Sequence, residues 1–232
     1  MLTAIALVPS APVLVPELTG GAADELADLR AAVGRAVAGL PDRWVAIGVG
    51  ACDEVLTPPR VGTYGGYGVD VRVALSPDGP PLDAADPDEL PLCALATGWI
   101  RGRFAPHAAA EVRVFAGDHD VDTAVRHGRE LRRLVDDAGG EIGVLVVADG
   151  CHTLTPPAPG GYDPESVPVQ AALDDALAAG DAAALGRLPG SVVGRVAYQV
   201  LAGLTEPAPS AAEEFYRGAP YGVGYFAGRW TP

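Results

Sequence analysis

A histidine, a cysteine and an aspartate stand together in the stretch Asp149–Gly150–Cys151–His152, directly after an apolar run. An imidazole exchanges protons near neutral pH and also binds transition metals. We therefore predict that His152 is a catalytic residue and that Asp149 lies beside it in a pocket. The same residues also fit a plainer alternative, in which His152 is a loop histidine that hydrogen-bonds its own turn.

A second group with metal-binding chemistry is Cys52 and Asp53, which follow Gly48–Val49–Gly50 and another apolar run. A thiolate and a carboxylate can bind a borderline metal such as Zn(II) if His152 approaches them. We predict Cys52 and Asp53 as metal ligands, and the alternative is a structural cysteine at a strand end. The two glycines lack the third glycine of a dinucleotide-binding fingerprint, so a nicotinamide cofactor is not expected.

Ser10 and Glu17 lie in a proline-rich stretch after the first apolar run and are further pocket candidates. A serine nucleophile needs a base beside it, and the chain has no G-x-S-x-G sequence around Ser10. We therefore keep a hydrogen-bonding turn residue as the alternative for Ser10.

The three other histidines are interpreted as structural or surface residues. Asp118 or Asp120 is expected to cap a helix, with His119 as a solvated neighbour. His107 and His127 have no acidic or cysteine companion at ligand spacing along the sequence, so both are expected at the surface.

Composition excludes several classes of function. The 232 residues include 30 acidic and 16 basic side chains, a net charge of −14 that excludes binding to nucleic acid through phosphate neutralisation. The charge disfavours anionic partners at long range and leaves a neutral small molecule and homo-oligomerisation open. Three widely spaced cysteines indicate a reducing, cytoplasmic location without a disulfide framework. No apolar run reaches roughly 18 residues, so no membrane span is expected.

Short apolar runs alternate with helical patterns along the chain. The predicted strands are Leu2–Val8, Trp44–Val49, Val69–Leu75, Glu111–Phe115, Ile142–Val147 and Val223–Ala227. The predicted helices are Ala22–Leu40, Asp120–Ala138, Gln170–Ala179, Ala182–Leu188 and Val192–Leu204. This alternation predicts one α/β domain over residues 1–232, a three-layer α/β/α sandwich with a mixed, mostly parallel central sheet. Ligands bind at the carboxyl ends of such strands, where the candidate residues lie.

One long segment resembles a known family. Val147–Pro164 reads V-A-D-G-C-H-T-L-T-P-P-A-P-G-G-Y-D-P and is similar to the motif of the catalytic B subunits of class III extradiol ring-cleavage dioxygenases, in the LigB/Memo-like superfamily. Ala4–Leu18 is similar to the family's opening strand and loop, and Ala219–Tyr225 to its closing P-[FY]-G-V-G-Y strand.

The resemblance implies an α/β fold and an aromatic substrate, with Fe(II) held by two histidines and a glutamate. It also implies that His152 is the histidine that handles the substrate proton. Ser10 and Ala11 stand where the family has its first histidine ligand, and Cys52 and Asp53 stand where it has the second. We therefore expect a divergent dioxygenase-like protein with most of the Fe(II) ligands missing and Zn(II) as the other candidate metal. The alternative is a non-catalytic binding module on the same fold.

Overall fold

The computed structural model describes residues 1–83 and 86–232, apart from the side chains of 21–23. Nine strands form a seven-stranded sheet in the order β3-β6-β2-β7-β1-β9-β8 and a separate pair, β4-β5. The strands are β1 (Leu2–Val8), β2 (Arg43–Gly50), β3 (Glu54–Leu56), β4 (Val61–Thr63), β5 (Arg72–Ala74), β6 (Ala109–Ala116), β7 (Ile142–Val147), β8 (Ala211–Gly218) and β9 (Tyr225–Thr231).

Seven α-helices connect these strands in the described part of the chain. They are α1 (Pro16–Thr19), α2 (Ala27–Val37), α3 (Leu92–Phe104), α4 (Val121–Asp137), α5 (Ser166–Ala179), α6 (Ala182–Leu185) and α7 (Arg195–Leu204). Short 3-10 segments cover Pro12–Leu14, Gly20–Leu26 and Tyr64–Tyr67. Among the described residues, no helix has the length and apolarity needed to cross a membrane.

The centre of the large sheet is parallel. β1 pairs with β7, β7 with β2, and β2 with β6, all in parallel, whereas β3, β8 and β9 pair with their neighbours antiparallel. Every residue of β7 is buried, as expected for a strand covered on both faces. The predicted fold class, with a mixed and mostly parallel central sheet, is therefore confirmed.

Alternate residues of the central strands enter two separate apolar clusters. Trp44 and Ala46 of β2 pack in one cluster with residues of α2 and α3. Val45 and Ile47 of the same strand pack in the other, with residues of α4, α5 and α7. Because side chains on a strand point to opposite faces in turn, these clusters lie on the two sides of the sheet and make three layers.

The structure differs from the sequence-based prediction in several elements, among them the short strands β3 and β4, which the prediction missed. The run Val69–Leu75 forms only the three-residue strand β5, which belongs to the small sheet. The prediction missed α3, which is buried around most of its circumference and so shows little alternation of apolar and polar residues. It also missed β8, which is mostly exposed and carries no apolar run.

Helices α4 and α7 cross in direct backbone contact. A Cβ added at Gly128 of α4 would lie 2.0 Å from the carbonyl oxygen of Val200, and one at Gly203 of α7 would lie 2.1 Å from that of Val125. Both distances are far below any van der Waals contact, so only glycine fits at this crossing. The contact fixes α4 relative to α7, and the amino-terminal ends of both helices lie beside the candidate site described next.

Candidate functional site

The polar residues of interest follow the four parallel strands of the sheet, at the carboxyl ends of these strands. Ser10 follows β1, Asp149 follows β7, Asp53 follows β2 and His119 follows β6. The helix after β1 packs on one face of the sheet, whereas the helices after β7 pack on the other. Such a reversal opens a crevice at the strand ends, which is the usual ligand site of open α/β sheets.

The side chain of Asp149, which follows β7, forms a hydrogen bond with the segment that follows β1. Its Oδ1 atom accepts a hydrogen bond from the backbone amide of Ser10 at 2.9 Å. Burial raises the pKa of Asp149 to about 7 against the opposing effect of that amide. The buried phenols of Tyr198 and Tyr225 lie near enough for the Asp149 charge to raise their pKa values as well. A carboxyl group of this kind exchanges its proton near neutral pH.

The side chain of Gln170 supports the loop that carries Asp149. Its Oε1 accepts the amide of Cys151 at 2.8 Å, and its Nε2 donates to Oδ1 of Asp174 at 2.8 Å. A Cβ at Gly150 would lie 2.0 Å from Oε1 of Gln170, and a Cβ at Gly224 would lie 2.2 Å from that atom. The two glycines therefore make the slot that Gln170 fills, and the loop is held on both sides.

The loop places Cys151 and His152 in different environments. Cys151 is buried, and burial raises the pKa of its thiol. His152 is exposed, and its carbonyl oxygen accepts the amide of Gly160 at 3.1 Å. His152 is thus accessible to a ligand, whereas the thiol of Cys151 belongs to the core.

A second polar group forms around Asp53, one strand further along the sheet. Oδ1 of Asp53 accepts the amide of Ala116 at 2.7 Å, and Nε2 of His119 lies 2.7 and 3.0 Å from the two carboxylate oxygens. Nε2 of His127 lies 3.9 Å from Oδ2 of Asp53. One ligand atom from each of Asp53, His119 and His127 falls within 4.8 Å of the other two. We call these three residues the Asp53 cluster.

The charges in this cluster favour ionised Asp53. Burial raises the pKa of Asp53, but the Ala116 amide, the hydrogen bond from His119 and the charges of His119 and His127 together outweigh it and lower the pKa. The imidazole of His127 lies against the ring of Phe115, with 5.3 Å between centroids, and 5.1 Å from the ring of His119.

The sequence-based interpretation of His119 and His127 as solvated surface residues was wrong. Both side chains are partly buried, and the acidic residue that they share is Asp53, which the sheet brings to them from a distant part of the chain. The expected helix cap was right, because Asp120 accepts the amide of Thr123 at 2.8 Å. One available signal pointed to His119: it follows β6 as directly as the other candidates follow their strands.

The structure distributes the predicted site residues over three places. Ser10 lies with Asp149, as described above. Cys52 is exposed beside Asp53, but neither Cys52 nor His152 belongs to the Asp53 cluster. Glu17 lines a separate cavity of about 460 Å³ together with Trp99. The structure therefore groups Asp53 with two histidines and separates it from His152 and Glu17.

The amino-terminal end of α7 connects the Asp149 loop with the Asp53 cluster. The amide of Gly194 donates to the carbonyl oxygen of Asp149 at 2.8 Å. The next residue, Arg195, donates from Nη2 to the carbonyl oxygens of Gly117 and His119 at 3.2 and 3.0 Å. The two polar groups therefore share one supporting element.

Comparison with known proteins gives one informative result. The fold is similar to that of an uncharacterized protein, JW3007 from Escherichia coli K12, with a TM-score of 0.56 and 10% identity over 98% of this chain and 99% of that chain. No family model matches the sequence, and neither does any curated protein. At this identity the similarity shows the fold alone.

Proposed function

We propose that this chain is a divergent relative of the class III extradiol ring-cleavage dioxygenases that performs acid–base chemistry on a small aromatic molecule without the family's iron. The single observation that supports the proposal is Asp149, a partly buried carboxyl at the meeting of two parallel strands whose pKa is raised to about 7. The motif around His152 supports the family relationship, and His152 is an exposed imidazole three residues from this carboxyl.

The family's Fe(II) does not fit the residues at the corresponding positions. After β1, Ala11 is buried and apolar, and Ser10 offers only a hydroxyl, a poor neutral donor for Fe(II). After β2, the carboxylate of Asp53 bonds to the segment between β6 and α4. A site that has lost both imidazoles at these positions is not expected to hold iron for ring cleavage.

The chemistry available at the crevice is proton transfer. Oδ1 of Asp149 is engaged by the Ser10 amide, which leaves Oδ2 to carry the proton. Below about pH 7 this group is a donor, and above that pH it is an acceptor. Groups whose pKa lies near the working pH are the most effective general acids and bases, and the pKa of Asp149 meets this condition.

A binding module without catalysis is the second candidate, and the positions of the cavities favour it. The cavity of about 510 Å³ lies at the opposite end of the strands, near Arg43, Trp44 and Ile142. Neither this cavity nor that of about 460 Å³ is lined by Asp149 or His152. A small molecule bound beside Trp44 would be remote from the proton-transfer groups.

The test combines oxygen consumption with ligand binding. We expect no oxygen uptake with catechol or protocatechuate at saturating Fe(II), because the two histidine ligands that the family has after β1 and β2 are absent. We expect a panel of phenols and aromatic acids to contain a ligand that raises the melting temperature of the wild type. The same ligand should not raise that of Asp149→Asn or His152→Ala.

The controls decide between the two candidates. The variant Leu134→Ala, at an exposed position that lines the cavity near Arg43, should leave the stabilisation by the ligand unchanged if the ligand binds near Asp149. Loss of the stabilisation in Leu134→Ala alone would support the binding module, and iron-dependent oxygen uptake would contradict the proposal directly.

A further inference from the structure

We propose that Asp53, His119 and His127 form a binding site for a divalent transition metal of the zinc and ferrous class. The sheet creates the site by placing the residue that follows β2 beside the segment that follows β6 and the second turn of α4. It shares the position after β2 with the family's iron site, but its two histidines lie after β6 and in α4, and not after β1 and β2. The proposal does not depend on the acid–base role of Asp149.

The distances are close to those that coordination requires. With metal–ligand bonds near 2.1 Å, two ligand atoms of a tetrahedral ion lie about 3.4 Å apart. His119 Nε2 lies 2.7 and 3.0 Å from the oxygens of Asp53, and His127 Nε2 lies 3.9 Å from Oδ2. Rotation of these partly exposed side chains would move their ligand atoms by less than about 1 Å to reach this separation. The ion would then replace the proton between His119 and Asp53.

The donor set selects the class of metal. Two imidazoles and one carboxylate suit zinc and ferrous ions, whereas calcium and magnesium prefer oxygen ligands. Three protein ligands leave at least one coordination position open. A cavity of about 260 Å³, lined by Asp53, Val114, Phe115 and His127, lies directly beside the cluster and gives room for a water molecule or a small ligand there.

Neighbouring groups orient two of the ligands. Nδ1 of His127 lies 3.6 Å from Oε2 of Glu130, the carboxylate partner that metal-binding histidines commonly have on their second nitrogen. The Ala116 amide holds Oδ1 of Asp53 at 2.7 Å, which leaves Oδ2 directed toward His127. The Ala116 amide beside Asp53 and Glu130, one helical turn from His127, are in place before any ion binds.

Metal content of the full chain is the decisive measurement. The protein is stripped with a chelator, dialysed against Zn(II) and analysed for metal, and the Kd is obtained by competition with a chromophoric chelator. We expect one zinc per chain. His119→Ala, His127→Ala and Asp53→Asn should each weaken binding at least about 100-fold, since loss of a supporting neighbour alone costs about 10- to 100-fold.

Co(II) substitution supplies a second readout. The visible absorption of bound Co(II) should report a four- or five-coordinate ion in the wild type and disappear in His127→Ala. Circular dichroism checks that each variant is folded. Asp53→Asn keeps an oxygen for the Ala116 amide and is the variant expected to disturb the backbone least.

The matched control variants replace the neighbouring thiol and two histidines outside the cluster. Cys52→Ser, His107→Ala and His152→Ala should retain zinc with a Kd within about threefold of the wild-type value. The proposal is overturned if the wild type binds no metal, if the triple variant of Asp53, His119 and His127 keeps it, or if Cys52→Ser removes it. Asp149→Asn should keep zinc, so failure of this site and failure of the acid–base proposal are distinguishable.

Discussion

The Asp149 loop and the Asp53 cluster both lie at the carboxyl ends of the parallel strands but are held in different ways. The loop is fixed by backbone hydrogen bonds and by the buried side chain of Gln170. The cluster consists of side chains that remain 20% to 47% exposed and bond mainly to one another. Substitutions that remove the supports of the loop should therefore lower the free energy of unfolding, whereas substitutions in the cluster should change binding and leave the fold intact.

The largest expected effect is that of Gln170→Ala. It leaves the amide of Cys151 and the carboxyl of Asp174 without their buried partner and opens a void between Gly150 and Gly224. We expect the free energy of unfolding in urea to fall by about 3 kcal/mol. The control Val167→Ala, at an exposed position of the same helix, should cost less than about 0.5 kcal/mol. Equal costs for the two variants would mean that the loop is not held by Gln170.

Asp149→Asn should have the next largest effect, and the effect should depend on pH. The pKa of about 7 in the folded protein lies above the ordinary value of 3.8 for an aspartate, so folding favours the protonated form. The resulting destabilisation of the wild type is absent below about pH 4, grows as the pH rises and is complete above about pH 7. Relative to the wild type, Asp149→Asn should therefore gain stability between pH 4 and pH 8, by about 2 kcal/mol once partial exposure is allowed for.

The measurement for Asp149 is the difference in free energy of unfolding between variant and wild type at these two pH values. The exposed Asp137→Asn serves as the control and should show little change between them. A gain for Asp149→Asn that is the same at pH 4 and pH 8 would mean that the pKa of Asp149 is not raised in the folded protein.

Arg195→Ala tests whether the two regions are coupled. It removes the hydrogen bonds from Nη2 to the carbonyl oxygens of Gly117 and His119. We expect a loss of about 1 kcal/mol in the free energy of unfolding and, if the metal site exists, zinc binding weakened by up to about 10-fold. The exposed Arg187→Ala is the control for loss of a positive charge. Unchanged stability and unchanged zinc affinity in Arg195→Ala would show that Arg195 does not couple the two regions.

The smallest expected effect on stability is that of Asp53→Asn. The ion pairs of Asp53 are at the surface, where such pairs contribute less than about 1 kcal/mol. The free energy of unfolding should change by no more than that, while zinc binding is lost. A cost similar to that of Gln170→Ala would show that the Asp53 cluster is structural and would remove the contrast between the two regions.

The sequence predicted those parts of the fold whose signal is local. The continuous apolar runs of β1, β2 and β7 and the strong periodicity of α4 required no knowledge of the rest of the chain. The short strands β3 and β4 and the exposed β8 carry no such signal. Their conformation depends on pairing with a partner strand, which a local pattern does not reveal.

The site was predicted in part for the same reason. Asp149 and Ser10 were expected near one another because each follows a buried run. The pairing of Asp53 with His119 joins residues 66 positions apart, and it depends on β2 and β6 being neighbours in the sheet. The interpretation of His127 as a surface residue failed because it considered acidic companions along the sequence and not across the sheet.

The strand order also has a consequence for how the chain is made. β1 leaves the ribosome long before its partner strands, because Ala6 pairs with Leu145 of β7 and Leu7 pairs with Gly228 of β9. An apolar strand without a partner for most of synthesis is exposed to aggregation and to chaperones. Pulse-labelling hydrogen exchange during refolding should find the β1 amides protected later than those of β2 and β6, and simultaneous protection would contradict this order.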